Sequence, residues 1–304
     1  ASPSTSCEVK EPLRRRRTKD GRSFVFDPCS NAWRLEDAGV VTTNEETLAL
    51  PWSQFNVSFN GPFRIGEIAI LLGDDPERRP IDSQEHADTG SSIWDGAVAL
   101  AKVLERQPFL VQNRKVLEVG AGRGLVGLAA WALGASMWVT DLAYTLEAMH
   151  QAWHLTSSAA GSQVVEDLPK LEMAELDWSR ASEFFQQRPG LEVEVILAAD
   201  VVWLMELVEP LADALATAAQ FCPKVEILVV HQTRSANVEM AFLQAMAARK
   251  LQPVWTLPGG SKEGVEVSQQ RIQWHEDFVP DQRIKLWCFQ AERAIGKKNE
   301  QRNQ

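Results

Sequence analysis

The chain has 304 residues and a formal net charge of −10, with 45% hydrophobic and 24% charged residues. That length suits one large domain or two modest ones, and the composition is ordinary for a soluble globular protein. The acidic balance argues against a general nucleic-acid binder, which carries a basic footprint, and no apolar run reaches the roughly 18 residues that a membrane-spanning helix needs. Residues 1–23 read as a flexible basic arm, rich in Ser, Pro, Arg and Lys and lacking the apolar core of a signal peptide. Its run Arg14–Arg17, followed by Thr18 and Lys19, reads first as a solvated basic stretch, with a nuclear signal or a phosphate contact as the functional alternative. Residues 24–90 read as an N-terminal extension that is irregular to about residue 50. A β-hairpin is expected next: Phe55, Val57 and Phe59 alternate, Gly61-Pro62 turns the chain, and Phe63, Ile65 and Ile68–Leu72 return. Residues 73–90 are polar and proline-punctuated, hence a loop.

Past Gly90 the apolar spacing changes period. Ile93, Trp94, Ala97, Leu100, Ala101 and Leu104 recur at helical intervals. Strands are then predicted at 116–120, 137–141, 171–178, 193–202 and 225–232, with helices at 125–133, 143–157, 206–220 and 235–249. Strands at about 251–257 and 283–290, joined by a polar loop, complete the domain, which is placed at 91–292. Residues 293–304 read as a solvated, disordered tail. Alternating strands and helices imply an α/β fold with a doubly wound, mostly parallel sheet and helices on both faces. The last two strands lack an intervening helix and predict an antiparallel hairpin at one edge.

Cys7, Cys29, Cys222 and Cys288 are far apart with no C-x-x-C, and the five histidines form no H-E-x-x-H. Neither a disulfide framework nor a metal site is expected, and a reducing compartment fits, placing the protein in the cytoplasm and, through the basic run, also in the nucleus.

The stretch KVLEVGAGRGLVG (115–127) contains two glycine patterns at once. Gly120, Gly122 and Gly124 alternate after Glu118 as E-x-G-x-G-x-G, a pattern of S-adenosylmethionine sites. Gly122, Gly124 and Gly127 spell G-x-G-x-x-G, a pattern of dinucleotide sites. Glycines let the backbone turn sharply and approach a ligand, and ligands of doubly wound sheets bind outside the carboxyl ends of the strands. Asp141, ending its strand, offers a carboxylate for two ribose hydroxyls or caps the next helix; dinucleotide enzymes use the same device. Asp177-Trp178 offers an acceptor and a stacking face where an adenine would be read. Asp200 closes a long apolar run, which marks a placed carboxylate, and Trp203 follows three residues on.

Together these segments resemble the seven-β-strand S-adenosylmethionine-dependent methyltransferases, and within them the protein-lysine methyltransferases of methyltransferase family 16. The resemblance rests on TGSSIWDGAVALAKVLE (89–105), VLEVGAGRGLVGLAAWALGA (116–135), VTDL (139–142), LDW (176–178) and ADVVW (199–203), in the family's order. It covers about 55–290. It implies a seven-stranded Rossmann-like sheet, S-adenosyl-L-methionine as cofactor and a protein lysine as methyl acceptor. It further implies that Trp94 packs beside the cofactor, with Asp95 supporting its helix, and that Glu118, Gly120 and Gly122 cradle the methionine part. Asp141 would hold the ribose, Asp177 and Trp178 would flank the adenine, and Ala199 would complete the cofactor site. Asp200 and Trp203 would be the catalytic residues facing the lysine. The chain departs from the family's D-x-x-[YF] in having Trp203, and the helix after Asp141 lacks an N-x-x-x-N-like pattern.

Four rival readings differ by feature, the weakest being a nicotinamide oxidoreductase, in which the strand-end pattern beyond Asp141 has no role. A nucleic-acid methyltransferase of the amino-methylating kind commonly carries [DNS]-P-P-[YFW], whereas this chain has Asp200-Val-Val-Trp203. A non-catalytic binding module keeps the fold without the acids, yet Glu118, Asp141 and Asp200 are all present. A small-molecule methyltransferase is excluded by no feature. Arg234, after the predicted strand 225–232, reads first as a capping or pairing residue at a surface turn and second as a contact for an acidic substrate segment.

Overall fold

The computed structural model describes residues 15–17, 23–27, 32–35, 63–73 and 93–292. The chain divides into two compact units, one of residues 1–54 and 79–87 and one of residues 55–78 and 88–304. In the first, β1 (Arg15–Arg17), β2 (Ser23–Asp27) and β3 (Ala32–Leu35) form an antiparallel sheet in the order β1-β2-β3. Strand β1 and Ser23 of β2 lie within the stretch expected as a flexible arm, and the rest of β2 and all of β3 lie within the stretch expected to be irregular. The rest of that arm, the loop 74–90 and the C-terminal tail lie outside the described residues.

The second unit begins with the hairpin β4 (Phe63–Ile65) and β5 (Ile68–Ile70), paired antiparallel. Its turn is at Gly66-Glu67, with Gly66 at φ 53°, rather than at Gly61-Pro62. The expected first arm, 55–59, lies outside the described residues. The hairpin packs into the main unit: Phe63, Ile65, Ile70 and Leu72 share a core with Val98, Leu125, Leu128 and Ala152. Lys102 pins it by donating to Arg64 O and Glu105 Oε2, both at 2.7 Å, while Glu105 Oε1 accepts from Gly66 N at 2.8 Å.

The remaining elements alternate as the apolar periods require. In chain order they are α1 (Asp95–Arg106), β6 (Lys115–Val119), α2 (Leu125–Ala132), β7 (Ser136–Asp141), α3 (Leu146–Ala160), α4 (Ser162–Asp167), β8 (Leu171–Glu175), α5 (Ala181–Gln186), β9 (Val195–Ala199), α6 (Met205–Phe221), β10 (Glu226–Gln232), α7 (Ala236–Ala248), β11 (Leu251–Pro258), β12 (Val265–Val267), β13 (Gln270–Ile272) and β14 (Ile284–Ala291). One seven-stranded sheet runs β11-β14-β10-β9-β6-β7-β8. Strands β6 to β10 are mutually parallel, and β14 lies antiparallel between β10 and β11. The fold is thus the expected doubly wound α/β sheet with an antiparallel pair at one edge. The polar loop between β11 and β14 carries the small hairpin β12–β13.

Both faces of the sheet are covered. Successive residues of a strand point to opposite faces. Accordingly Leu117, Ile196, Ile227 and Phe289 pack with Leu211 of α6 and Phe242 of α7. Their neighbours Val116, Val195, Leu228 and Cys288 pack with Leu100 of α1, Val126 of α2 and Met149 of α3. Two-sided burial explains why these strands read as continuous apolar runs. Helix α2 is buried along nearly its whole length, as a helix apolar on every side must be.

Three strands stop short of their predicted ends for local reasons. Strand β9 ends at Ala199 because Asp200 takes φ 55°, a left-handed conformation that no strand accommodates. Strand β8 ends at Glu175, after which Asp177 caps a short 3₁₀ turn, Trp178–Arg180. Strand β6 ends at Val119, where Gly120 turns at φ 68°. From β6 the chain winds outward to β7 and β8, then returns to β9 on the other side. The switch in winding direction therefore lies between β6 and β9, where ligands of such sheets bind.

Gly127 shows how tightly α2 sits on this point. A Cβ there would lie 2.5 Å from Val139 Cγ2 and 2.6 Å from Glu118 Oε2. Gly127→Ala is expected to destabilise the protein by about 1–3 kcal/mol through overpacking. Urea denaturation should show a lower midpoint with an unchanged slope.

Candidate active site

The glycine loop leaves β6 at the switch point. Gly120, Gly122 and Gly124 have φ of 68°, 56° and 81°, so left-handed backbone is used three times in five residues. Space decides one of them further: a Cβ on Gly120 would lie 2.6 Å from Val201 Cγ1 and 3.1 Å from Trp178 Cζ2. The loop thus brings the tips of β8 and β9 against the tip of β6. Arg123, 4% exposed, ties it to the end of the hairpin, its Nη2 donating to Leu72 O at 2.5 Å and Gly73 O at 2.9 Å.

Asp141 closes the loop from β7. Its Oδ2 accepts from Gly122 N at 2.6 Å and its Oδ1 from Leu142 N at 2.6 Å. This carboxylate therefore organises the glycine turn; the 3₁₀ turn Ala143–Thr145 and α3 that follow have no side-chain cap. Glu118 lies deeper, 2% exposed, with its Oε2 beside Gly127 and without a hydrogen-bond partner among the described residues. Burial pushes its carboxyl well above the usual carboxylate range; the Asp141 charge adds to this, and the Gly127 backbone N–H opposes it. Trp178, half-buried, stands over Gly120, whereas the Asp177 carboxylate accepts from Ser179 N at 2.9 Å and from Ser179 Oγ at 2.7 Å.

On the other side of the switch point, Asp200 is held completely. Its side chain is 0% exposed. Oδ2 accepts from Gly96 N at 2.7 Å and Oδ1 from Gln232 N at 2.8 Å, and its own N–H donates to Val230 O at 2.8 Å. The carboxylate joins the first turn of α1, the tip of β9 and the end of β10. Gly96 admits it closely, since a Cβ there would lie 2.6 Å from Asp200 Oδ2. A carboxylate so placed does not face an open crevice, which alters the role expected for it toward the acceptor. Ala199 is the half-buried last residue of β9, and Trp203 is half-buried in the loop to α6.

Trp94 stands at the start of α1, half-buried, and Asp95, 4% exposed, lies in the helix's first turn. Over the Trp94 ring, at 4.7 Å from its centroid, sits the Arg234 guanidinium. Arg234 Nη1 is 3.6 Å from Asp200 Oδ1, and Nη2 donates to Gln232 Oε1 at 3.1 Å. His231 lies behind, 1% exposed and stacked on Trp287 with centroids 5.6 Å apart. Burial lowers its pKa to about 4, further depressed by Arg234 and Lys285 and opposed by Asp200 and Glu239, so it is neutral at pH 7.

The structure thus gathers Gly120, Gly122, Glu118, Asp141 and Trp178 on one side of the switch point, and Trp94, Ala199 and Asp200 on the other. Sequence reasoning missed Gly96 and Gln232, whose contributions are backbone N–H groups, and placed Arg234 first at a surface turn. The W-D-G segment and the polar HQTR (231–234) at a strand end were the available signals.

The model of the family described as lysine methyltransferase matches residues 75–249, more than half of the chain. Protein N-lysine methyltransferase METTL21A of Mus musculus is 33% identical over 138 residues, covering 45% of this chain and 58% of that protein. METTL21A of Danio rerio is 33% identical over 128 residues, covering 40% and 52%. EEF1A lysine methyltransferase 3 of Mus musculus is 30% identical over 112 residues, covering 37% and 43%. The chain spans about half the length of the curated relatives it matches. Among solved structures, the CcbJ methyltransferase of Streptomyces caelestis superposes with a TM-score of 0.44 at 12% identity, covering 69% of this chain and 94% of that one.

Two outcomes test the two acids. Glu118 in the folded protein holds its proton to a higher pH than in the unfolded chain, so above about pH 4.5 the native state binds more protons and stability declines as pH rises. Glu118→Gln removes that decline, so the melting temperature of the variant relative to wild type should climb from pH 5 to pH 8. Asp200→Ala leaves two buried backbone N–H groups and the Arg234 charge without their carboxylate and should destabilise the fold by about 3 kcal/mol or more. Chemical denaturation measures it, and a loss below about 1 kcal/mol would contradict the stapling role.

Proposed function

The chain belongs to the lysine methyltransferase family, and on that premise we propose that it is an S-adenosyl-L-methionine-dependent methyltransferase that methylates a lysine side chain of a protein. The observation carrying this reading is the glycine loop at the switch point, whose Gly122 N–H is held by Asp141 while Trp178 and Val201 close on Gly120. The residues present fit the cofactor. Three alternating left-handed glycines leave those positions of the turn without Cβ atoms, a carboxylate stands at the neighbouring strand tip, and an indole flanks the loop. Gly120 and Gly122 would cradle the methionine part, Asp141 would hold the ribose, and Trp178 would flank the adenine, with Asp177 keeping the Trp178 turn in shape. Glu118, buried under the loop, would act by supporting it. Trp94 and Ala199 would complete the site.

When bound, the cofactor supplies an electrophilic methyl group on a sulfonium. The protein's part is alignment: an acceptor amine must approach in line, about 3–3.5 Å from the methyl carbon. The amine must also be neutral, although a free lysine titrates near pH 10.4. Partly apolar surroundings lower that value by desolvation. Trp203, half-buried past the tip of β9, would offer an indole face to the ammonium or its methylated product, a contact worth about 0.5–2 kcal/mol. Asp200 would fix the strand tips between which the amine enters and leave the proton to solvent.

The partner in this reading is a protein with an acceptor lysine, met in the cytoplasm or nucleus. Scattered cysteines support that placement, and among the described residues no helix is long and apolar enough to cross a membrane.

S-adenosylhomocysteine at 100 times its dissociation constant should stabilise the native state by about 2.7 kcal/mol and raise the melting temperature by several degrees. NADH should leave it unchanged, and labelled methyl should then pass from the cofactor to lysine in a cell extract. A shift with NADH alone would reverse the cofactor assignment.

A further inference from the structure

Arg234 is a cation beside Asp200, yet it is poorly satisfied. A guanidinium has five N–H donors. Here Nη2 reaches Gln232 Oε1 at 3.1 Å, Nη1 stands 3.6 Å from Asp200 Oδ1, beyond hydrogen-bond range, and the buried Nε has no hydrogen-bond partner among the described residues. Asp200 offers little more, since both of its oxygens already accept from backbone amides. Of the pair, only Arg234 reaches the surface: its side chain is 19% exposed against 0% for Asp200. The group presented beside Trp94 is therefore a cation with donors to spare.

Its position in the sheet says what it can meet. Strand order places Trp178, Asp141, Gly120, Asp200 and Arg234 at the carboxyl ends of β8, β7, β6, β9 and β10, or just past them. Asp141 and Arg234 are three strand spacings apart, roughly 14 Å. Val201, next to Asp200, touches the Gly120 position, so the row is continuous. A ligand with its nucleoside toward Asp141 and Trp178 runs its amino-acid end toward β9 and β10.

We propose that Arg234 binds the α-carboxylate of the cofactor's amino-acid end, held in a fork geometry by the Trp94 ring and Gln232. The inference rests on the methyl-donor reading above. A planar guanidinium held over an indole ring is suited to a carboxylate, which it can engage through two parallel N–H bonds.

The test uses two probes on the full chain. S-adenosylhomocysteine carries the carboxylate; 5′-methylthioadenosine keeps the nucleoside and sulfur but lacks the amino-acid carbons. Dissociation constants are measured by calorimetry for wild type, Arg234→Met and Arg234→Lys, with melting curves to show that each is folded. Arg234→Met should weaken S-adenosylhomocysteine roughly ten- to a hundredfold and leave methylthioadenosine within about twofold. Arg234→Lys, a point charge without the fork, should lose part of the affinity and carries the test if the Met variant does not fold. Equal loss for both probes would make Arg234 a structural residue, and no loss for either would free it for another partner such as an acidic segment of the acceptor; both results overturn the proposal. Wild type that binds neither probe overturns the cofactor reading itself.

Discussion

The buried carboxylate of Asp200 is the constraint on which the crevice depends. It accepts from Gly96 N and Gln232 N, residues 104 and 32 positions away in the chain. Two backbone amides and a nearby guanidinium stabilise its charge in a place where an unpaired carboxylate would be very unfavourable. The same contacts oblige the first turn of α1 and the end of β10 to meet at the tip of β9. Asp200 meets them in a left-handed conformation, which Asp tolerates better than most residues. Strain at a strand tip is thus offset by the hydrogen bonds that the carboxylate accepts there.

A second constraint works on the other side of the switch point. There the glycine loop approaches Val201 and Trp178 so closely that a side chain at Gly120 would collide with them, and one at Gly127 in α2 would collide with Val139 and Glu118. The two halves differ in their ionisable groups. Glu118 and Asp141 place two acids near one another under and beside the loop; burial, and to a lesser degree this proximity, raises the Glu118 carboxyl. Across the switch point, Arg234 accompanies Asp200.

The sheet and most of the crevice were legible in the sequence because two-sided burial writes each strand as a short apolar run, and because acids at the ends of such runs stand out. Asp141 and Asp200 were found in this way. The limits of that reasoning are also physical. Val201 and Val202 are buried and apolar but are not in the strand, since backbone conformation at Asp200 rather than hydrophobicity ends β9. Helices α4 and α5 are six residues each, too short to show a helical period. The hairpin turn at Gly66-Glu67 was hidden behind the stronger turn signal of Gly61-Pro62. The direction of the Asp200 carboxylate could not be read at all, because its partners are main-chain N–H groups that every residue possesses.

The placement of β14 has a consequence for synthesis. This last strand of the sheet, Ile284–Ala291, is inserted between β10 and β11 and faces Gln232 with Ile284, while Thr233 N donates to Arg283 O at 2.8 Å. A nascent chain emerging from the ribosome has all of Gly96, Asp200 and Gln232 long before it has residue 284. Until then the outer edge of β10 lacks its neighbour, and the strand that presents Gln232 N to Asp200 is paired on one side only. The crevice residues precede in the chain the strand that covers the edge of β10, so a ribosome-bound intermediate lacking that strand would expose both an open strand edge and an unfinished ligand site.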